Sequence, residues 1–310
     1  MRDAIKAVER CFAAYSDGKT GMPPIVTSYV KKYGGVLEIK SGYLETDCIG
    51  AKVICYFEEN PSRYGLPALT GVVVLNDLKT GIPIAIVNAA PITALRTGAA
   101  GAVAAKYLAR RDSRSVGIVG TGVQGRYQLI GLNELFDIAE VRAYDRIKDS
   151  SMRYASEMSS KLGLDVKAVE VPRDAVENAD IVVTATPSRK PIINSKWVRS
   201  GTHINAIGAD EPGKQELDPQ ILTRAKIVVD CLEECKVRGE INSAMSEGII
   251  DLCNIYAELG DIVAGKKKGR ESASEITIFD ATGMAIQDLA TSYEIYKIAK
   301  EKGIGTTVAI

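Results

Sequence analysis

The stretch from Ser115 to Asp145 decides the fold: S-V-G-I-V-G-T-G-V-Q-G-R-Y-Q-L-I-G-L-N-E-L-F-D-I-A-E-V-R-A-Y-D. Val116 to Val119 is an apolar run of strand length, and it leads into Gly120-Thr121-Gly122-Val123-Gln124-Gly125, the spacing G-x-G-x-x-G. Leu129, Ile130, Leu132 and Leu135 then recur on a helical pattern, and a second strand, Glu140 to Tyr144, ends at Asp145. Gly120 permits a tight strand-to-helix turn, Gly122 lets the backbone approach a pyrophosphate, and Gly125 lets the helix pack closely on the strand. The start of the helix, at Val123 and Gln124, offers unpaired N–H groups and the positive end of a dipole to phosphates. Asp145 lies roughly twenty residues beyond the last glycine, where a carboxylate accepts hydrogen bonds from ribose hydroxyls. Strand, glycines, helix, strand and acid together predict a dinucleotide site. Asp145 favours NAD, and Arg146 beside it leaves a 2′-phosphate, and so NADP, open.

Downstream of Asp145 the βα alternation continues. A surface helix is expected over 148–162, a strand over 166–171, a short helix over 175–178 and further strands over 181–184, 202–207, 227–230 and 276–280. This succession predicts an α/β fold with a doubly wound parallel (Rossmann) sheet. Ligands in such sheets sit beyond the carboxyl ends of the strands. That rule selects Thr186-Pro187-Ser188, the run Ile207-Gly208-Ala209-Asp210, and Asp280-Ala281-Thr282-Gly283 as parts of one cleft. A long helix over 284–299 should return to the first domain.

Upstream, residues 2–16 carry an apolar helical face, and residues 25–57 read as several short strands with Gly34-Gly35 as a turn. Alternation in V-L-E-I-K-S-G-Y puts Glu38 and Lys40 on one face, and Lys52 lies within the next strand. A β-hairpin with L-K-T-G at its tip precedes a helix over 93–110 that is built almost entirely of small residues around Arg96. The expected division is a discontinuous α+β substrate-binding and dimerisation domain, 1–112 plus 288–310, and a nucleotide domain, 113–287.

Composition narrows the classes. The chain has 310 residues, 46% of them hydrophobic, with 39 basic against 39 acidic side chains. That balance points away from nucleic acid. No apolar run approaches the roughly 20 residues of a membrane span, and the N-terminus shows no signal-peptide core. Six cysteines without a C-x-x-C, and a single histidine, make a zinc site improbable, so no metal is expected. Cys231 and Cys235 read as small buried apolar residues, and the cysteine usage implies a reducing, cytoplasmic compartment. His203, in the middle of a strand, reads as a packing residue.

The chemistry should centre on Arg96. A guanidinium among small residues requires a fixed anion, either a substrate carboxylate held by two parallel hydrogen bonds or a protein acid. Lys52 either points to solvent by strand alternation or faces the cleft, where desolvation and a neighbouring cation lower its pKa toward a useful acid–base value. Asp210 is placed to orient a water or to meet positive charge on a substrate nitrogen.

Several motifs together resemble the ornithine cyclodeaminase/mu-crystallin family: G-Y-L and A-K-V, T-A-L-R-T-G-A-A-G, V-G-I-V-G-T-G-V-Q-G, T-P-S-R-K-P, H-I-N-A-I-G-A-D-E-P-G-K-Q-E-L-D, G-E-I-N and I-F-D-A-T-G-M-A-I-Q-D. The likeness covers nearly the whole chain and is nearest to the archaeal alanine dehydrogenase branch. It implies a homodimer, a bound nicotinamide dinucleotide, and hydride exchange with the α-carbon of a small amino or imino acid. By position it implies that Arg96 binds the carboxylate and that Lys52 and Asp210 are catalytic, which turns Lys52 toward the cleft. It also implies that Thr97, Gln124, Asp145, Gly208 and Thr282 touch the cofactor. Two departures stand out. Glu38 occupies the position of a second carboxylate-binding arginine, so Lys40 takes over that grip or Glu38 meets a substrate amine. The chain also opens inside the first helix, without the strand that usually precedes it, which is expected to alter one edge of the substrate sheet and the dimer. Two alternatives remain: a cyclodeaminase that uses NAD catalytically on ornithine or lysine and releases ammonia, and a binding protein of the mu-crystallin kind without turnover.

Overall fold

The computed structural model describes residues 1–309, which form two compact units, Met1–Ile5 with Thr97–Gly283, and Lys6–Arg96 with the described residues from Met284 onward. The boundaries differ from 112/113 and 287/288, because the helix Ala89–Leu108 is divided near its middle. Past Arg96 this helix is packed by its smallest residues. A Cβ at Gly98 would strike the Tyr127 carbonyl, and one at Gly101 would strike the Gln128 side chain. Those contacts tie the later turns of the helix to the glycine-loop helix Val123–Asn133.

The smaller unit carries a six-stranded antiparallel sheet: β1 (Thr20–Gly21), β2 (Val26–Val30), β3 (Gly35–Leu44), β4 (Cys48–Phe57), β5 (Leu69–Asp77) and β6 (Pro83–Asn88). The expected short strands of 25–57 are largely two long ones, β3 and β4. The hairpin turn between β5 and β6 is held by Asp77, whose carboxylate accepts the N–H groups of Lys79 and Thr80 and the Thr80 hydroxyl. The closing helix Ala285–Glu301 lies across β3, β4 and β5. Its first turns are buried from Ala285 to Ser292. Glycines admit it: a Cβ at Gly50 would meet Leu289 Cδ2 at 3.1 Å, and one at Gly42 would meet Ile286 Cγ2 at 3.5 Å. Because the strands pair in register, Lys40 stands directly opposite Lys52 on the face that this helix covers.

The larger unit is a parallel eight-stranded sheet in the order Ile255–Glu258, Lys226–Val229, Thr277–Asp280, His203–Ala206, Ile181–Thr184, Ser115–Val119, Glu140–Tyr144, Val166–Ala168. Its strands are β7 (Ser115–Val119), β8 (Glu140–Tyr144), β9 (Val166–Ala168), β10 (Ile181–Thr184), β12 (His203–Ala206), β14 (Lys226–Val229), β15 (Ile255–Glu258) and β16 (Thr277–Asp280). The central strands are buried on both faces, as a parallel sheet covered by helices requires, and β12 and β16 carry His203, Asn205, Thr277 and Asp280 within them. The chain winds outward from β7 through β8 to β9, then returns beside β7 as β10 and winds the other way. Strand order therefore reverses between β7 and β10, the place where doubly wound sheets take nucleotides. The sequence pattern does not disclose β15, nor a small separate pair, β11 (Arg189–Ile193) with β13 (Gln215–Leu217).

A buried polar chain runs through this unit. Gln128 Nε2 donates to the Thr97 carbonyl at 2.7 Å, and Asn205 Nδ2 donates to Gln128 Oε1 at 3.1 Å and to the Gly101 carbonyl at 3.0 Å. His203 bridges Asn205 Oδ1 and Thr277 Oγ1, each at 2.9 Å. Burial and the nearby Arg270 push the His203 pKa down to about 3, so the ring is neutral. It is a packing residue, as its mid-strand position suggests.

Candidate active site

The nucleotide unit presents the features that the glycine motif requires. Gly120 adopts φ +101°, and a Cβ there would collide with the Ala185 carbonyl after β10. Gly125 has no room for a Cβ against the Gly120 carbonyl, whereas a Cβ at Gly122 would meet nothing within 4 Å. Gly120 and Gly125 thus fix the turn, and Gly122 keeps open space in front of the helix start. The N-cap of that helix, Gly122, supplies no side-chain bond to the first N–H groups, and Val123 is 60% exposed there. Gln124 Oε1 is buried without a hydrogen-bond partner, a group left for a ligand to satisfy. Asp145 Oδ2 accepts the Thr121 N–H at 2.9 Å and the Thr121 hydroxyl at 2.8 Å, while Oδ1 accepts the Ile147 N–H at 3.0 Å. A carboxylate has about four acceptor positions, so capacity for a ribose remains. These residues fit a dinucleotide.

Three segments follow adjacent parallel strands at the same edge: Thr186-Pro187-Ser188 after β10, Gly208-Ala209-Asp210 after β12, and Ala281-Thr282-Gly283 after β16. Pro187 and Asp210 are exposed there. Asp210 accepts a hydrogen bond from Lys214 Nζ at 2.7 Å. Thr282 is more tied down than a cofactor contact requires, since its hydroxyl donates to Asp230 Oδ1 at 3.3 Å and the next residue, Gly283, donates its N–H to Asp230 Oδ2 at 2.7 Å. Cys235 sits in the same knot, its thiol 3.3 Å from Asp230 Oδ1, and burial pushes its pKa well up, which makes it inert. All six cysteines are free thiols.

The second cluster belongs to the smaller unit. Arg96 is buried, 6% exposed, and Lys52 is 1% exposed. Between them stands Asp288, fully buried on the closing helix. Its Oδ2 is 2.8 Å from Lys52 Nζ and its Oδ1 is 3.1 Å from Arg96 Nε. Gln287 Oε1 accepts from Arg96 Nη1 at 3.0 Å and from the Met284 N–H at 3.3 Å. Of the two options for Arg96, the protein acid is present. Nε is held by a protein acid and Nη1 by an amide, and Nη2 is left with no hydrogen-bond partner among the described residues. Thr93 Oγ1, one turn before Arg96, and Gln287 Nε2 are buried and unbonded as well. Lys40 is 3.2 Å from Glu38, so the acid at the expected arginine position is engaged by the neighbouring lysine.

The electrostatics of this cluster suit acid–base work. Burial is the largest influence on Lys52 and lowers its pKa. Asp288 opposes this, Arg96 and Lys40 add to the lowering, and the result is about 8. For Asp288, burial pushes upward, but Lys52 and Arg96 together outweigh it and hold the carboxyl below its ordinary range. A lysine poised near neutrality beside a half-engaged arginine can bind an acid group and move a proton next to it.

The family profile of ornithine cyclodeaminase/mu-crystallin proteins matches residues 1–303. The chain belongs to the ornithine cyclodeaminase/mu-crystallin family. Among its relatives, the alanine dehydrogenase of Archaeoglobus fulgidus is 45% identical over 308 residues, covering 99% of this chain and 94% of that protein. An archaeal alanine dehydrogenase dimer solved with bound NAD superposes with a TM-score of 0.95 at 44% identity, over 100% of this chain and 95% of that one. The Thermococcus litoralis Δ1-pyrroline-2-carboxylate reductase, solved with NADH and L-proline, also reaches 0.95, at 42% identity over 98% and 95% of the two chains. Within this family chain, Asp288 is the site residue that reading the sequence missed. It closes the quoted motif I-F-D-A-T-G-M-A-I-Q-D, and its signal is an acid in the first turn of a helix whose opening residues are mostly small or apolar. Among the described residues no cluster of His, Cys, Asp and Glu could hold a metal ion, and no helix is long and apolar enough to cross a membrane.

Proposed function

We propose that this chain is an NAD-dependent oxidoreductase that exchanges a hydride with the α-carbon of a small α-amino or α-imino acid. The observation that carries this reading is the buried Lys52–Asp288–Arg96 cluster, in which Nη2 of the arginine is unengaged. Arg96 Nη2 receives the substrate carboxylate, and Asp288 and Gln287 hold the guanidinium so that little entropy is lost on binding. Bound NAD, held by the glycine turn, Gln124, Asp145 and the loops after β10 and β12, supplies the hydride acceptor. Lys52 takes up or returns the proton at the substrate nitrogen. Asp210, exposed beside Lys214, handles water at the imine.

The charge count narrows the substrate. Lys40, Lys52 and Arg96 face Glu38 and Asp288, three cations against two carboxylates. The remaining positive charge suits a monoanion such as an imino acid or a 2-oxo acid with ammonia. A distal ammonium of ornithine or lysine has only Glu38 to meet, and Glu38 is already engaged by Lys40, which disfavours a cyclodeaminase. Homodimer formation is supported by the sheet face opposite Lys52. There Tyr43, Ile49, Val72 and Ile86 are 36%, 40%, 39% and 66% exposed, an apolar patch of the kind that marks an interface.

The test is NADH oxidation with pyruvate plus ammonia, with Δ1-pyrroline-2-carboxylate, and with iminosuccinate, alongside NAD with ornithine. Net NADH consumption with the first or second is the expected result. Proline formation from ornithine without net NADH would favour the cyclodeaminase instead.

A further inference from the structure

Two motifs singled out in the sequence, K-Q-E-L-D and G-E-I-N, have no part in the cluster around Arg96. They meet each other in the nucleotide unit. Glu216, fully buried on β13, sends one carboxylate oxygen to the N–H of Thr186 at 2.6 Å and the other to the N–H of Gly208 at 2.9 Å. Thr186 follows β10 and Gly208 follows β12, so one side chain joins two loops that belong to different strands. The approach is close enough to require glycine: a Cβ at Gly208 would meet the Thr186 carbonyl and would lie 2.6 Å from Glu216 Oε2. Glu216 is itself fixed from behind. Glu240 accepts the N–H of Glu216 at 2.6 Å and that of Leu217 at 3.2 Å.

We infer that Glu216 is a positioning residue for the cofactor, its carboxylate latching the loops after β10 and β12 at the separation that takes the nicotinamide half of the dinucleotide. This rests on the reading of those loops as the NAD site. The latch needs an ionised carboxylate, because both of its partners are N–H donors. A protonated oxygen, or the NH2 of glutamine, would oppose one of them.

The surroundings make that ionisation sensitive to pH. The carboxyl groups facing this region are Glu240 from the short helix Glu240–Ser246 and Asp280 at the end of β16, with Asp230 beyond Asp280. Burial, only partly offset by the donors from Thr186, Thr184 and Gly208, pushes Glu216 up to about 7. Burial, with repulsion from Glu216 and Asp280, pushes Glu240 well above its ordinary range, and Asp280 rises to about 7. An acid raised in this way is ionised above its midpoint and loses the latch as pH falls through it.

The experiment measures NADH affinity of the full chain by fluorescence at about pH 6 and about pH 8.5, for the wild type and for Glu216→Gln, together with hydrogen exchange at the Thr186 and Gly208 amides without cofactor. If only the latched form binds, the apparent dissociation constant is divided by the latched fraction, so wild-type affinity should fall about tenfold between the two pH values. Glu216→Gln should bind about tenfold more weakly at the higher pH, show little further loss at the lower, and exchange both amides faster. Glu216→Asp, which keeps the charge but shortens the reach, should lose affinity and keep the pH step, so a Gln variant that fails to fold still leaves a test. Unchanged NADH affinity in Glu216→Gln, even with faster amide exchange, overturns the assignment. A wild-type chain that binds no NADH at any pH overturns the functional reading itself, and this inference with it.

Discussion

Replacing Asp288 by Asn removes the one negative charge between Lys52 and Arg96 while keeping the size of the side chain. At the 2.8 Å separation of Lys52 and Asp288, two unit charges at an effective dielectric constant of about 20 attract by roughly 6 kcal/mol. Desolvation offsets much of that, and breaking one partner of a buried pair costs about 3–5 kcal/mol. The lower end of that range applies, because Lys52, already lowered to about 8, can shed its proton instead of standing unpaired. The variant should therefore lose about 3 kcal/mol near pH 7 in denaturant titrations. The pH dependence carries a second signature. In the wild type Lys52 titrates at about 8 in the fold and 10.5 when unfolded, so its burial penalty is full below about 8 and is relieved as pH rises toward 10.5. In Asp288→Asn the folded value drops further below 8, so the fold gives up the proton earlier: the stability gap narrows as pH rises toward 8, by up to about 1.4 kcal/mol per pH unit, and is constant above it. The acidic limb of amino-acid oxidation, where activity falls as Lys52 becomes protonated and can no longer accept the proton, should move to lower pH in parallel. A loss below about 1 kcal/mol with the acidic limb unmoved would refute the account of this cluster.

Three further outcomes follow from single contacts. Arg96→Lys keeps a charge but loses the fork, so kcat/KM should fall at least about a hundredfold while NADH affinity measured by fluorescence stays within about twofold. Gly120→Ala should lose about 1–3 kcal/mol of stability by thermal unfolding and most NADH binding, since residue 120 lies at φ +101° against the Ala185 carbonyl. His203→Leu leaves Asn205 Oδ1 without its partner, while the Thr277 hydroxyl keeps the Leu108 carbonyl and Arg270, so stability should fall by about 1–3 kcal/mol, and the pH–rate profile should keep its midpoints because the ring is neutral throughout.

Much of the nucleotide unit is legible because its signals are local. A buried parallel strand is a run of apolar residues, and the glycines mark backbone constraints that Gly120 and Gly125 visibly impose. The same locality explains what the pattern hides. Ile255–Glu258 pairs at the sheet edge through a register shift, and β11 with β13 form a two-stranded pair rich in polar residues, so neither shows a clean apolar run. In the other unit, Lys52 was ambiguous because strand alternation gives two faces and does not say which one a distant helix will cover. The covering helix comes from the far end of the chain and brings Asp288 with it, a contact 192 positions from Arg96. Glu216 is hidden for the same reason, as its role exists only once β10, β12 and β13 are assembled. Arg96 was legible as a residue in need of an anion. That the need would be half met by Asp288 and Gln287 required the fold.

The most direct measurement is isotopic. The chain is incubated with NAD and, in turn, alanine and proline carrying deuterium at Cα, and the reduced cofactor is analysed by mass spectrometry. Deuterium on the nicotinamide ring from at least one of them, abolished in Arg96→Ala while NADH binding persists, is the predicted result. Reduced cofactor that carries no label, or label that survives the loss of Arg96, would contradict the central claim that this arginine fixes an acid whose α-carbon exchanges the hydride.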